Sequence, residues 1–223
     1  MNIKNHKGFT LIELLIVIAI IAVLSVVVIL SLNPAELLRQ ARDSNRISDM
    51  ATMKSAVSLY LADVASPFLG TSTICYISAA SSSGLYVPTT AGVYAATSSC
   101  ALWMTVGTTT VNVTATTTRT IGTAGAVAGN GWLPVDFNNI SSGAPIAQEP
   151  IDPVNQVGSA TCVSTSTLGS CGLFYSYDFS GSSFKLATFM ESLKYAKGGG
   201  NDVESSDGGT NSYVYEGGTN PAL

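Results

Sequence analysis

One uninterrupted apolar segment near the N-terminus limits what this chain can fold into. Between Leu14 and Leu30 there is no charged residue, and Ser25 is the single hydroxyl side chain. A helix of about 20 apolar residues crosses the hydrocarbon core of a bilayer. A helix that is apolar on every face matches the buried helix of a soluble domain poorly. The segment therefore predicts one membrane-spanning helix, since no second stretch of this kind follows.

The charge content argues against several functional classes. Charged residues make up 11% of the chain, the net charge is -4 and the pI is about 4.8, which is unlike a basic nucleic-acid binder. His6, the one histidine, precedes the apolar segment, which argues against a histidine-based catalytic triad or zinc site in the rest of the chain. The glycines Gly125 and Gly129 lack the following Lys-Ser/Thr of a phosphate-binding loop. We expect neither an enzyme nor a nucleic-acid partner.

The residues flanking the apolar segment differ from an ordinary secretory signal. Lys4 and Lys7 precede the segment, and the positive-inside rule keeps them cytoplasmic. A secretory signal has its small-residue cleavage site after the apolar region, whereas here the small residue, Gly8, comes before it. Cleavage at Gly8 would keep the segment as the mature N-terminus. An ionised Glu13 carboxylate is energetically unfavourable in the hydrocarbon core of a bilayer. It therefore either lies at the membrane interface, where it favours the positive helix N-terminus, or pairs with the amine of Phe9 on a neighbouring chain.

Together these residues form a recognisable signal, Lys7-Gly8-Phe9-Thr10-Leu11-Ile12-Glu13 followed by an unbroken apolar helix. It resembles the class III signal of bacterial type IV pilins and type II secretion pseudopilins, over residues 7–32. The resemblance implies that prepilin peptidase cuts after Gly8 and methylates the amine of Phe9. It implies that Glu13 supports recruitment into a filament. It also implies as partners other copies of the chain or related subunits, a separate assembly ATPase with its platform, and the membrane before assembly.

The remaining sequence predicts an α+β protein in which a long kinked N-terminal helix packs on a C-terminal antiparallel β-sheet head. Asn33-Pro34 has the residues of a helix start directly after the apolar helix, which predicts a kink at 31–34. The candidate strands Leu173–Phe179 and Phe184–Thr188 carry the best hairpin signal, in which Tyr175–Phe179 pairs with Phe184–Thr188 around a Ser-Gly turn. Other candidate strands are Thr73–Ile77, Leu102–Val106 and Thr109–Thr114. The predicted segments are a leader at 1–8, a membrane or filament-core helix at 9–32, its amphipathic continuation at 33–66 and the head at 67–223.

The amphipathic continuation carries an apolar stripe and three arginines. Met50, Met53, Val57 and Tyr60 recur at helical spacing and predict the packing face. Arg39, Arg42 and Arg46 follow one another at steps of three and four. They either contact lipid headgroups or a neighbouring subunit, or they occupy a solvated helix face, and the sequence leaves both readings open.

The four cysteines, Cys75, Cys100, Cys162 and Cys171, all follow the spanning segment, which places them on the oxidising outer side. Four cysteines allow three disulfide pairings. We predict the local pairing, Cys75–Cys100 and Cys162–Cys171. No two of them are spaced Cys-x-x-Cys, which argues against a zinc site.

The C-terminal tail is rich in glycine and acidic residues. Asp202, Glu204 and Asp207 supply the hard oxygen ligands that suit calcium. Major pseudopilins, which the layout resembles, carry a calcium-stabilised loop near the C-terminus. The spacing matches no EF-hand, so a solvated flexible tail is the alternative. We predict no other cofactor.

These features predict a structural subunit of a type IV pilus-like filament. The subunit would be a single-pass protein of the cytoplasmic membrane before assembly, and part of a cell-surface pilus or periplasmic pseudopilus afterwards. One alternative is a pseudopilin of a type II secretion or competence system, although the head after Pro67 is larger than most major pseudopilins that resemble it. A further alternative is a monomeric membrane-tethered binding module, which would have no use for Glu13.

Overall fold

The computed structural model describes residues 8–71, 75–78, 85–89, 109–113, 118–119, 126–157, 172–209 and 212–221. The chain divides into two compact units, Met1–Leu38 and Arg39–Leu223. The predicted strand Leu102–Val106 lies outside the described residues.

From Leu11 onwards the first unit is helical, with one interruption at Asn33. Helix α1 spans Leu11–Leu32, and helix α2 begins at Pro34 and ends at Asp63. Between them Asn33 has a φ of 42°, in the left-handed region that asparagine tolerates better than most residues. The Asn33 carbonyl accepts hydrogen bonds from the backbone N–H of Glu36 and Leu37, at 3.0 and 3.3 Å. The predicted interruption near residues 31–34 is therefore confirmed.

The second unit contains the rest of α2, a short 3-10 helix at Phe137–Asn139 and the β structure. The strands in its described part are, in chain order, β1 (Cys75–Ile77), β2 (Leu85–Thr89), β3 (Thr109–Val113), β4 (Thr118–Arg119), β5 (Gln156–Val157), β6 (Gly172–Leu173), β7 (Ser176–Ser180), β8 (Ser183–Thr188) and β9 (Tyr215–Gly218).

The main sheet has the strand order β4-β1-β7-β8-β9. Strands β1, β7, β8 and β9 pair with one another in antiparallel fashion, and β4 pairs with β1 as a parallel edge strand. The hairpin of β7 and β8 turns at Gly181, whose φ of 59° is the value that a two-residue hairpin turn requires. Strands β2 and β3, and separately β5 and β6, form two-stranded pairs. The prediction of an α+β chain with an antiparallel sheet is confirmed.

The core of the second unit lies between α2 and one face of the main sheet. Met53 and Val57 are fully buried on α2, at the predicted helical spacing. Tyr177 and Phe184 approach from β7 and β8, and their rings stack 6.2 Å apart. Trp132, which is also fully buried, joins the same cluster from the segment after β4. Because side chains alternate along a strand, the residues between these core positions point to the opposite face of the sheet.

Candidate processing and assembly site

The start of α1 presents Gly8 and Phe9 on an exposed stretch directly before the helix. A Cβ placed on Gly8 would meet nothing within 4 Å in the described part of the chain. The φ of Gly8 also lies outside the left-handed region, so this fold does not itself require glycine there. A requirement for glycine at this position would therefore come from an external partner.

Glu13 lies in the first turn of α1 and closes a capping box with Thr10. Its backbone N–H donates to the Thr10 hydroxyl oxygen at 3.3 Å. Its carboxylate accepts from the Thr10 N–H at 2.8 Å and from the Thr10 hydroxyl at 2.6 Å, both at Oε2. This position suits a negative charge because the helix N-terminus carries a partial positive charge. A carboxylate offers about four lone-pair positions, so these bonds leave it capacity for a further donor.

The rest of α1 is an apolar surface with no core of its own. Residues Leu11–Ile29 have a mean hydropathy of 3.3 and none of that window is buried, and this is the only helix in the described residues long and apolar enough to cross a membrane. The hydroxyl of Ser25 donates to the Ile21 carbonyl at 2.7 Å, so this hydroxyl is satisfied within the helix. Such a surface needs lipid or other apolar helices around it.

Residues 3–29 match the family model described as the prokaryotic N-terminal methylation motif. The chain carries the class III prepilin signal of type IV pilins and pseudopilins. This signal implies processing by prepilin peptidase and assembly into pilus-like filaments. Together with the exposed apolar helix, it indicates membrane anchoring before assembly. No curated protein and no solved structure matches the chain.

In the second unit, Arg46 on α2 is part of a buried ionic network. It is fully buried, and its guanidinium donates to Asp152 through Nε at 2.6 Å and through Nη2 at 2.9 Å. Nη1 donates to Asp43 at 2.8 Å, and Nη2 lies 2.5 Å from Glu191. Burial opposes the charge of Arg46, but the hydrogen bonds and charges of Asp152 and Glu191 outweigh it and raise the pKa of the guanidinium.

Arg42 extends the same network towards the surface. Its Nε donates to Glu191 Oε1 at 2.9 Å and its Nη2 to Oε2 at 2.5 Å. Burial alone would raise the pKa of Glu191, but its hydrogen bonds to Arg42 and Arg46 lower that pKa overall. Both sequence-based readings of Arg46 are therefore wrong, because it is fully buried against partners in its own unit. It contacts neither lipid headgroups nor a neighbouring subunit, and it does not lie on a solvated helix face. Arg39 is exposed, so its role stays open.

Sequence reasoning missed this network. The spacing of Asp43 and Arg46 is typical of an ion pair on one helix face and was the available local signal. Asp43 also accepts the backbone N–H groups of Glu191 and Ser192, the latter at 2.7 Å. No local pattern shows that Asp152 and Glu191 come to the same place.

The three candidate calcium ligands bind backbone groups of their own region. Glu204 is buried, whereas Asp202 and Asp207 are partly exposed. Among the described residues, no three acidic, histidine or cysteine side chains form a group that could hold a metal. The calcium prediction therefore has no ligand set in this part of the chain and stays a prediction. The N–H donors are Gly198 and Ser205 for Asp202, Met190 and Lys197 for Glu204, and Gly209 and Glu216 for Asp207.

The disulfide predictions fall almost entirely outside the described residues. Cys75 begins β1, and Cys100, Cys162 and Cys171 are not among the described positions. The local pairing stays a prediction.

Proposed function

We propose that this prepilin is a structural subunit of a type IV pilus-like filament, cleaved after Gly8 and polymerised through α1. The observation that carries the proposal is the placement of Glu13, one carboxylate at the start of an otherwise apolar and wholly exposed helix. The filament role is structural rather than catalytic.

The exposed surface of α1 favours storage in a membrane followed by packing against other copies. Apolar helices gain little from the hydrophobic effect when they exchange lipid for one another, because lipid tails are as apolar as leucine. A polar group in such a helix therefore contributes strongly to the choice of partner and register. Glu13 is the one ionisable side chain in α1 and is the natural candidate.

Cleavage after Gly8 would create the partner that Glu13 needs. The new amine at Phe9 stays protonated after methylation, and it lies four residues, about one helical turn, before Glu13 along the chain. Within one chain, Glu13 already closes the capping box with Thr10. The remaining capacity of the carboxylate would accept the Phe9 amine of a neighbouring subunit, which sets the axial register between subunits.

Assembly requires components that this chain does not supply. Prepilin peptidase would perform cleavage and methylation, and a separate ATPase with its membrane platform would extract subunits from the membrane. The head would line the filament surface. The head is larger than that of most major pseudopilins that the chain resembles, which favours a cell-surface pilus over a periplasmic pseudopilus of a secretion or competence system.

Mass spectrometry of filaments sheared from the native cell surface tests this proposal. We expect the chain to be abundant there and to begin at N-methylated Phe9. A chain that stays in the membrane fraction with residues 1–8 attached would overturn the proposal and favour the tethered binding module.

Variants separate assembly from processing. Glu13→Ala should still be cleaved but should accumulate in the membrane and be lost from filaments. Glu36→Ala, which removes a carboxylate from the first turn of α2 instead, is the matched control and should assemble normally. Normal filament yield from Glu13→Ala would also contradict the proposal.

A further inference from the structure

A fully buried lysine lies on the face of the main sheet that points away from α2. Lys185 is in β8, between Phe184 and Leu186, which both belong to the core against α2. Side chains alternate along a strand, so Lys185 points to the opposite face. It is 0% exposed, which is rare for a lysine unless it is paired.

Two buried carboxyl groups on the adjacent strands share this face with Lys185. Asp178 in β7 lies directly opposite Lys185 in the antiparallel register, and directly opposite residues have their Cβ atoms about 5 Å apart. Glu216 in β9 pairs with Ala187, the next residue of β8 on the same face. The ammonium of Lys185 forms an ion pair with the Glu216 carboxylate. Asp178 is 8% exposed and Glu216 is 1% exposed.

The chain backbone closes over this group of side chains. Gly209 lies so near Glu216 that an added Cβ would come within 2.8 Å of the Glu216 Cβ and closer still to its carboxyl group. Asp207, two residues earlier, accepts the Glu216 backbone N–H at 2.5 Å and holds the segment in place. The Lys185 amine and the Glu216 carboxyl group are therefore kept together with little access for water, and Asp178 shares their face of the sheet.

The Lys185 ammonium and the Glu216 carboxylate can remain a buried ion pair, or they can lose water and form an amide. We propose that Lys185 and Glu216 are joined by an intramolecular isopeptide bond, with Asp178 as the proton-transfer group. The proposal concerns the head alone, and it stands or falls independently of filament assembly.

The reaction balances without any co-reactant. A proton passes from the Lys185 ammonium to the Glu216 carboxylate, which leaves a neutral amine and a neutral carboxylic acid. The lone pair of Nζ attacks Cδ of Glu216 and forms the N–C bond. Asp178, as the acid, gives its proton to the departing hydroxyl, so the C–O bond breaks and water leaves. The nitrogen then returns a proton to Asp178, and the products are one amide and one water molecule.

The environment favours each part of this reaction. Groups held in contact react with effective molarities of about 10⁵ M or more when well oriented, and exclusion of water protects the amide from hydrolysis. Burial raises the pKa of Asp178, with the N–H of Phe179 and the charge of Lys185 opposing it, and a raised pKa favours the protonated form that a donor needs. The bond would tie β9, an edge strand of the main sheet, to its neighbour β8.

Peptide mapping of the full-length chain, purified from its native membrane or filaments and reduced, tests the proposal. We expect one branched peptide containing Lys185 and Glu216, lighter by one water molecule than its two linear parts. Separate linear peptides, or a link from Lys185 to Asp178 or Asp207, would overturn it. This measurement on the unaltered chain does not depend on any variant folding.

Variants then test the roles of the residues. Lys185→Arg keeps the positive charge and should lose the link, whereas Lys194→Arg, which changes an exposed lysine, should keep it. Asp178→Asn should leave unlinked peptides in a head whose near-UV circular dichroism is unchanged. Complete linkage in Asp178→Asn would overturn the role given to Asp178.

Discussion

Arg46 and Asp152, 106 positions apart in the sequence, form a bidentate ion pair in which both side chains are fully buried. Asp152 also accepts the backbone N–H groups of Val154 and Asn155, at 2.8 and 3.1 Å. The Asp152 carboxylate therefore stabilises the turn at residues 152–155 and also binds Arg46 of α2. Because Arg46 also contacts Asp43 and Glu191, this one guanidinium binds carboxylates from three segments of the second unit.

We predict that Arg46→Met destabilises the head by about 3–5 kcal/mol, because it leaves buried carboxylates without their cation. Urea unfolding followed by tryptophan fluorescence measures this, since Trp132 is buried in the core. Arg39→Met changes an exposed arginine of the same helix and should shift the free energy of unfolding by at most about 0.5 kcal/mol. Equal effects of the two substitutions would show that the network does not hold α2.

The sequence predicts those structural features that depend on residues close together in the chain. Gly8, Phe9 and Glu13 are found because the signal is short and contiguous, and α1 is found because its composition is apolar on every face. The hairpin of β7 and β8 is found because its two strands are separated by a Ser-Gly turn. These features depend on neighbours a few residues apart.

The charged interior is not predictable in the same way. The periodicity of α2 identifies the face of Met53 and Val57, but it does not show that Arg46 meets Asp152. Lys185 resembles a solvent-facing residue in an alternating strand. It is buried because β9 pairs beside β8 and brings Glu216 to that face, where the segment at Gly209 packs against the Glu216 carboxyl group. Both cases depend on partners far apart in sequence, which only the fold brings together.

We predict that the head loses stability as the pH rises through about 7, owing to Glu204. Burial raises the pKa of Glu204 from its ordinary value of 4.5 to about 7, and its hydrogen bonds from Met190 and Lys197 only partly oppose this. Because the folded state binds the proton of Glu204 more tightly than the unfolded state does, protonated Glu204 stabilises the head fully below about pH 4.5. This stabilisation decreases as the pH rises above 4.5 and is lost once the pH has passed the folded pKa of about 7. The loss amounts to about 3 kcal/mol, from 1.36 kcal/mol per pKa unit.

Unfolding measured in urea between pH 5 and pH 8 checks this dependence. Glu204→Gln cannot ionise, so its free energy of unfolding should change much less over the same range. Groups whose pKa is lowered in the folded state, such as Glu191, reduce the stability as the pH falls rather than as it rises. Their effect lies mainly below about pH 4.5, outside this window. An identical slope for the wild type and Glu204→Gln would contradict the prediction.

We predict that Gly131→Ala destabilises the head by about 1–3 kcal/mol, the usual cost of overpacking. A Cβ at Gly131 would clash with the carboxyl group of Glu149 and with the Ala126 carbonyl oxygen. Glu149 is buried and accepts the backbone N–H groups of Trp132 and Leu133, at 2.8 and 3.1 Å, so displacing it would disturb the segment that carries Trp132.

Thermal unfolding of Gly131→Ala, compared with Gly200→Ala, measures this effect. A Cβ at Gly200 meets nothing within 4 Å among the described residues, and its φ is not in the left-handed region. Gly200→Ala should therefore be close to neutral. A melting temperature equally lowered in both variants would mean that the contact with Glu149 is not the cause.

The last prediction concerns Gly8, which this fold does not require. A Cβ placed there meets no described atom within 4 Å and Gly8 is exposed, so Gly8→Leu should leave the unfolding of the head unchanged. If glycine is needed by the peptidase, the same variant should keep residues 1–8 and lack N-methylated Phe9. N-terminal mass spectrometry of membrane fractions measures this, with Ser25→Ala as a control that should be processed normally. Efficient cleavage of Gly8→Leu would show that the peptidase does not select glycine here, whereas a destabilised head would show that the leader contributes to the fold.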